Sequence, residues 1–493
     1  MADEARDQSP LVVDIHCHTF NADDIPVRGF VHRVAFDHAA LGEPVARLVA
    51  RVIQGRAPGY AEEQAVLDRL LGEQGFAEAY RIPPAPEVDV VAELEADVKD
   101  TLERLQGQDP AFVAQIGAEL QAAEREHTGM PADDFGEASV EDALSLVPRA
   151  IRWAKVFGRS RLDITRLLIK AFDRRVDLFC PMLVDLDSGL GEAAQTTLAQ
   201  QVDLQEQISR LSMLGRMGSA SGRVHPFVAF DPRREVRARL GKQETTPFDL
   251  VQDAVLNRGF IGVKLYPPMG WRPIGNQAAL DMTPVEAREV DVVLRKFYRW
   301  CEKEQVPITA HCNQGIHAHS LYADYASPRH WTTVLDKHRR LRVNLGHFGG
   351  ARAKEPMDGW PWLIARAMEK HEHLYADVGN HSVHNQRITD AYFAMLRAMQ
   401  GEREREGEAK LGERLMLGSD WYMSAIHPEN ERFLDRYLDL YDDSFGSDAT
   451  AAFAGKNARS FLGFDDPTNR NCKRLAERYR RYAPERTPTW LAR

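Results

Sequence analysis

The 493-residue chain lacks several features that mark membrane or secreted proteins. No run of about eighteen or more apolar residues occurs, which excludes a conventional membrane-spanning helix. Residues 1–10 contain neither a basic stretch nor an apolar one, so we expect no secretory signal peptide. The five cysteines are far apart and form no Cys-x-x-Cys pair, which favours reduced thiols and a cytoplasmic protein.

An excess of positive charge is also missing. The 63 lysines and arginines are outnumbered by 73 aspartates and glutamates, which gives a formal net charge of −10. Nucleic acids and anionic membranes are bound by basic surfaces, so we expect neither as a partner and predict a small-molecule substrate. The apolar fraction of 44% and the charged fraction of 28% are ordinary for soluble globular proteins, so a large core can be buried.

Short apolar runs recur along the chain and are typical of buried strands. They lie at residues 11–17, 177–186, 223–230, 260–266, 306–311, 341–347, 373–378 and 414–420. Most are separated by segments with apolar residues at steps of three and four, as in helices that pack on a parallel sheet. The clearest of these segments are 196–214, 283–304 and 388–400. Eight alternations predict an α/β fold, a (β/α)8 TIM barrel built from residues 11–20 and 176–462.

A long segment, residues 21–175, separates the first two predicted strands and is too long for a loop. It is rich in Ala, Leu, Glu and Arg, and its helical pieces at 44–53, 87–106 and 142–157 alternate with turns that contain Gly and Pro. We therefore predict a helical insertion. Because it follows a strand, it leaves the barrel on the catalytic face, where we expect a cap or, alternatively, a packing element or a homodimerisation element. Residues 463–493 are predicted to be a C-terminal helical tail with a basic, solvated face.

Histidines and one aspartate occupy the ends of predicted strands. His16 and His18 are two residues apart on the first strand, so their side chains project in the same direction. His311, His347 and Asp420 end the fifth, sixth and eighth strands. Barrel enzymes keep their active sites at the carboxyl ends of the strands, so these residues predict a divalent metal site. Nitrogen and oxygen ligands suit Zn²⁺ first, with Mn²⁺ or Fe²⁺ as alternatives.

The sequence around these residues resembles the amidohydrolase superfamily, in particular its amidohydrolase-related branch of metal-dependent hydrolases and decarboxylases. The matching segments, in order, are VVDIHCHTF, GVKLYPP, ITAHCN, NLGHFGG and MLGSDW. The resemblance implies that His16, His18, His311 and Asp420 are metal ligands. It also implies that Asp420 carries the proton from water to the leaving group, and that His347 binds a second metal, orients water or polarises the substrate.

Lys264 lies on the fourth predicted strand, at the same barrel end. Strand alternation turns Val263 and Leu265 toward the helices and Lys264 toward the barrel interior. An ammonium beside a metal ion is repelled, which favours carboxylation or a lowered pKa. Three roles stay open: a carbamate that bridges two metals, as in dihydroorotase-like relatives, a contact to a substrate anion, or a structural ion pair. A second ion, bound by His311 and His347, is expected only with the carbamate.

Loop residues that follow the strands are candidates for substrate binding. They are Tyr266, Trp271, Arg272, Asn313, His317 and Trp421. An aromatic wall with one arginine suits a planar or carboxylated substrate, while ordinary packing or solvation is the alternative for each residue.

The leading functional hypothesis is hydrolysis of a C–N or C–O bond in an amide, cyclic amide, lactone or ester. One alternative is a non-hydrolytic decarboxylase or lyase of the same branch. The other is a barrel that binds a ligand without turnover.

Overall fold

The computed structural model describes residues 10–30, 57–72, 103–104, 106–111, 114, 154–172, 175–217, 223–314, 317–350, 357–381, 386–405, 411–421 and 432–492. The strands among them are β1 (Val13–Cys17), β2 (Leu178–Pro181), β3 (Arg223–Val224 and Phe227–Ala229), β4 (Gly262–Leu265), β5 (Ile308–His311), β6 (Val343–Gly346), β7 (Leu374–Asp377) and β8 (Leu415–Met416). Each strand falls within one of the eight runs predicted from the sequence.

Parallel pairing connects the strands in chain order, in one sheet of three strands and one of six. β3 is interrupted in its middle, and its two segments pair with β2 and β4 respectively. The Leu183 amide donates to the Phe227 carbonyl at 3.0 Å, which joins the β2 side to the second segment of β3. The last strand is joined to the first where the Ile15 amide on β1 donates to the Leu417 carbonyl, just after β8, at 3.2 Å. The molecule is a (β/α)8 barrel, which confirms the predicted fold class.

Among the described residues, α-helices of six or more residues lie between successive strands and after β8. They are α1 (Tyr60–Leu71), α2 (Arg161–Ala171), α3 (Leu198–Met213), α4 (Pro232–Leu240), α5 (Pro247–Asn257), α6 (Pro284–Glu304), α7 (Pro328–Lys337), α8 (Trp360–Lys370), α9 (Gln386–Arg405), α10 (Phe433–Phe445), α11 (Asn457–Leu462) and α12 (Arg470–Tyr482). Helices α4 to α7 begin with proline, whose fixed φ suits the first helical turn. Thr197 and Gln200 form a capping box at the start of α3. Within the described ranges, the helices are too short or too polar to span a membrane.

The C-terminal helix α12 packs across the amino ends of strands, opposite the end where the predicted ligands lie. The Asn471 side chain donates to the Ile261 carbonyl at 2.9 Å, just before β4. The prediction of a solvated basic face applies to Arg480, which is exposed. It is wrong for Arg478, which is only 6% exposed and forms an ion pair with Glu206 on α3. Arg478 can be buried because the methylene groups of an arginine side chain pack on apolar surface while its guanidinium keeps a charged partner.

The described part of the insertion packs against the loop after β1 and against α3. Phe157 lies beside Phe20, with ring centroids 6.1 Å apart, and Phe20 lies 5.3 Å from the His18 ring. One side chain therefore separates the insertion from a predicted metal ligand. The predicted helical pieces at residues 44–53, 87–102 and 142–153 lie outside the described residues, and the cap stays a prediction.

A buried ion cluster joins three parts of the insertion, and its arginine, Arg161, also donates to the Thr196 hydroxyl before α3 at 2.9 Å. Arg161 at the start of α2 is 2% exposed and donates to both Asp24 and Glu63. Asp24 follows β1, whereas Glu63 lies on α1, so one guanidinium connects three segments of the chain. Because its two carboxylates are also buried, removal of the cation leaves two unpaired charges.

We expect Arg161→Ala to lower the free energy of unfolding by about 3–5 kcal/mol, the cost of breaking a buried ion pair. The measurement is urea unfolding followed by circular dichroism. Arg166→Ala is the control, because Arg166 pairs with Asp163 on the exposed face of the same helix. The control should cost less than about 1 kcal/mol. Equal losses in the two variants would contradict a structural role for the cluster.

Candidate metal centre

Polar side chains from opposite sides of the barrel meet at the carboxyl ends of the strands. His16 on β1 lies with Nε2 2.9 Å from the Lys264 Nζ on β4. Its Nδ1 lies 3.0 Å from each carboxylate oxygen of Asp377 on β7. Since β1 and β4 are separated by two strands, these contacts are made inside the barrel. The prediction that Lys264 faces the interior is therefore confirmed.

The hydrogen bonds of His347 and His311 determine which ring nitrogens carry protons. His347 Nδ1 lies 2.9 Å from the Gly379 carbonyl, which only accepts, so Nδ1 is the donor. In a neutral ring its Nε2 then accepts, and that atom lies 3.1 Å from His311 Nδ1. His311 Nδ1 is therefore a donor, and its Nε2 is left with a lone pair. This buried Nε2 has no hydrogen-bond partner among the described residues.

The same reasoning applies to the two histidines of β1. His18 Nδ1 lies 3.1 Å from the Met182 carbonyl, so it donates and leaves Nε2 as the acceptor. His16 Nδ1 donates to Asp377, so its Nε2 is also an acceptor. Burial lowers the pKa of His16 to about 4, which keeps the ring neutral at pH 7. Burial likewise holds the pKa of His311 well below its usual range. Neutral imidazoles with unprotonated Nε2 atoms are the form in which histidine binds metals.

Asp420 brings a carboxylate to these nitrogens. Its Oδ1 lies 3.1 Å from His18 Nε2 and 3.6 Å from His16 Nε2. Burial opposes ionisation of Asp420, whereas a proton shared with His18 and positive charge at the nearby imidazoles lower the pKa of Asp420 below its usual range. An ionised carboxylate facing two imidazole acceptors needs a shared proton or cation between them. The donor set of these nitrogens and the carboxylate therefore fits a divalent metal ion.

The backbone at the site adopts an unusual conformation. Asp420 has φ +52° and His347 has φ +67°, both in the left-handed region that residues with a Cβ rarely adopt. Each such residue costs about 1–3 kcal/mol and persists only where the surroundings hold it. The Asp420 amide donates to the His16 carbonyl at 2.7 Å, which holds the turn against β1.

The predicted substrate-binding residues lie at different distances from this cluster. The Tyr266 ring stacks on His311 with centroids 5.8 Å apart, and the Lys264 Nζ lies 4.9 Å from its centre. The Trp421 carbonyl accepts a hydrogen bond from the His18 amide. Asn313 lies beside Gly350, just after the 3₁₀ turn that begins at His347. Of the other three, Trp271 is buried in the large apolar core, Arg272 stacks over Tyr325 and His317 is buried, and their substrate-binding roles stay predictions.

Two acidic residues of the site do not appear among the sequence-predicted ligands. Asp377 ends β7, and Asp14 on β1 accepts hydrogen bonds from the Ser419 amide at 3.0 Å and hydroxyl at 2.6 Å. A signal existed for Asp377, because it is the one carboxylate in the apolar run at 373–378 and stands where the other ligands stand. Asp14 lacks such a signal, because its partner Ser419 is remote in sequence.

A family model with the description "Amidohydrolase" matches residues 219–464, about half of the chain. The chain belongs to the amidohydrolase family. The match covers β3 to β8 and includes Lys264, His311, His347 and Asp420, while the His16 and His18 pair precedes it. The enzyme is therefore of the amidohydrolase type, with metal-dependent hydrolase or lyase activity.

Solved structures similar to this enzyme are barrels of low sequence identity. A TIM-barrel protein from Bordetella bronchiseptica is 16% identical, with 61% of this chain and 82% of that chain covered and a TM-score of 0.35. An amidohydrolase from Burkholderia multivorans with bound zinc is 12% identical, with coverages of 63% and 91% and a TM-score of 0.37. Dihydroorotase from Campylobacter jejuni is 12% identical, with coverages of 61% and 80% and a TM-score of 0.35. No curated protein sequence matches the chain.

Proposed function

We propose that the enzyme hydrolyses a C–N or C–O bond in a small molecule, namely an amide, cyclic amide, lactone or ester. The observation that carries the proposal is the set of unprotonated Nε2 atoms on His16, His18 and His311 together with the Asp420 carboxylate. These four residues would hold one divalent cation, with Zn²⁺ preferred for such a nitrogen and oxygen set. A bound divalent cation supplies Lewis acidity, which activates water and polarises the bond under attack.

The residues of the chain have separate tasks in this proposal. Asp420 is ionised, so it can accept a proton from water and deliver it to the leaving group. His347 Nε2 accepts a hydrogen bond from His311 Nδ1, which keeps the proton on Nδ1 and leaves the His311 Nε2 available as a ligand. The Tyr266 ring forms a wall beside His311, where it would contact a substrate.

The contacts of His347 support one metal rather than two. Its Nε2 is already paired with His311 Nδ1 at 3.1 Å, whereas a second metal would need that lone pair.

Burial lowers the pKa of Lys264 to about 8, against the opposing effect of Asp377 and Asp420. The neutral amine needed for a carbamate is therefore accessible near pH 8. Two metal ions per chain, with loss of one in Lys264→Ala, would favour the bridging carbamate.

Chelation tests the proposed chemistry. We expect that dialysis against a chelator abolishes turnover and that one equivalent of Zn²⁺ restores it. The substrate is found by screening lactones, esters, amides and cyclic amides with a pH indicator. Carboxylated compounds are screened in parallel for release of carbon dioxide, which would identify the lyase alternative. Full turnover in chelated, metal-free protein would contradict both readings.

A further inference from the structure

One buried carboxylate, that of Asp377, contacts two histidines of the candidate metal centre, His16 and His347. Asp377 is fully buried at the end of β7. Its Oδ1 accepts hydrogen bonds from the His347 amide at 3.1 Å and the Gly379 amide at 2.9 Å. Its Oδ2 accepts from the Asn344 side chain at 2.7 Å, and both oxygens lie 3.0 Å from His16 Nδ1.

These contacts use the acceptor capacity of the carboxylate. Two carboxylate oxygens offer about four lone-pair sites in all. The donors around Asp377 are two backbone amides, one side-chain amide and one imidazole, so no site remains for a metal ion. Asp377 therefore cannot bind a cation without breaking one of these hydrogen bonds, although it lies near His16 and His347.

The bond to His16 fixes the chemical form of that ring. Because Nδ1 must donate to Asp377, the proton is kept away from Nε2, the atom that faces Asp420. A carboxylate behind a metal-binding histidine also increases the basicity of the ligand atom and fixes the ring orientation. Loss of the carboxylate would allow the proton to move to Nε2 and block the ligand position.

The hydrogen bond from the His347 amide to Asp377 fixes the backbone of His347, and through it the position of the His347 ring. His347 has φ +67°, and the following Phe348 has φ +44°, so two consecutive residues are in the left-handed region. The Asp377 carboxylate holds the amide of His347, and His381 Nε2 donates to its carbonyl at 2.7 Å. The turn that aims the His347 ring at His311 is held from both sides.

We propose that Asp377 is a positioning residue that orients His16 and His347 together and keeps the Nε2 of His16 able to bind metal. This inference rests on the proposed function of the site as a metal centre. It assigns Asp377 to the support of the ligands and not to the ligand set itself.

The experiment measures Zn²⁺ affinity by competition with a fluorescent chelator and metal stoichiometry by elemental analysis. Asp377→Asn keeps the size of the side chain but replaces one acceptor oxygen with a donor amide. We expect its dissociation constant for Zn²⁺ to rise about 10- to 100-fold, the usual effect of losing the partner of a ligand histidine. The number of ions bound at saturation should equal that of the wild type.

Asp185→Asn is the matched control. Asp185 follows β2, is 5% exposed and pairs with Arg234 at 2.5 Å. Its loss should lower the unfolding midpoint as a buried ion pair does but change Zn²⁺ affinity less than about twofold. Asn344→Ala is a second test, because it removes one donor to Asp377 and touches no predicted ligand. We expect a smaller loss of Zn²⁺ affinity in the same direction.

The outcomes separate the inference from the function on which it rests. Wild-type protein that binds no divalent metal would overturn the proposed function. Metal binding by the wild type with unchanged affinity in Asp377→Asn would overturn the positioning role alone. Fewer ions bound at saturation by Asp377→Asn would show that Asp377 is itself a ligand. An equal loss of Zn²⁺ affinity in Asp185→Asn would show only general destabilisation. Either result overturns the proposal.

Discussion

Asp420→Asn should lower the turnover number at least about a hundredfold, the lower end for loss of a general base. Asparagine has nearly the same shape and keeps one coordinating oxygen, so the variant should still bind metal. It cannot accept a proton, however. The Michaelis constant should change much less, because the lost interaction belongs to the transition state. Steady-state kinetics on metal-loaded protein, with the metal content measured on the same sample, gives both values.

The structure strengthens this expectation. Asp420 lies with Oδ1 3.1 Å from His18 Nε2, and its neighbours keep its pKa below the usual range. The carboxylate is therefore ionised at neutral pH and available as a base. Near wild-type turnover in a metal-loaded Asp420→Asn enzyme would show that another group accepts the proton. His347 would then be the residue to replace.

The double variant His16→Ala, His18→Ala should lose both bound metal and turnover. Two of the four nitrogen and oxygen ligands disappear, while the barrel keeps its apolar core. The measurements are elemental analysis, activity and far-ultraviolet circular dichroism. His338→Ala with His371→Ala is the matched control, since both histidines are buried beside the outer helices, where His338 pairs with Glu302 at 2.7 Å.

The control variant should keep full metal content and activity. A His16, His18 variant that still binds a full complement of metal and turns over normally would contradict the assignment of the β1 pair. A variant with lost metal and lost helix signal would call for single substitutions, His16→Gln and His18→Gln, each of which should lower metal affinity without unfolding the chain.

The barrel and most of its metal centre could be predicted because both depend on local periodicity. A period of two sends His16 and His18 to the same side of a strand, and parallel strands in a barrel bring their carboxyl ends together. His311, His347 and Asp420 follow from the same rule. All five lie within one cluster in the structure, although their roles as ligands stay predictions.

Other features depend on contacts between distant parts of the chain. Asp377 acquires its importance from His16, which is 361 positions away. Arg478 is buried because α12 packs against α3, and no periodicity in the tail indicates that contact. The packing of Trp271 in the core and the stacking of Arg272 on Tyr325 are further contacts that the sequence pattern of the loop after β4 does not indicate. The path of a loop depends on its packing contacts and not on a periodicity in the sequence.

The most direct measurement is anomalous X-ray diffraction at the zinc edge from crystals of protein purified without chelator. We expect an anomalous peak bonded by the Nε2 atoms of His16, His18 and His311 and by the Asp420 carboxylate, with Asp377 behind His16 and not in contact with the ion. A metal bound elsewhere, or these four groups joined only by hydrogen bonds in protein supplied with Zn²⁺, would contradict it.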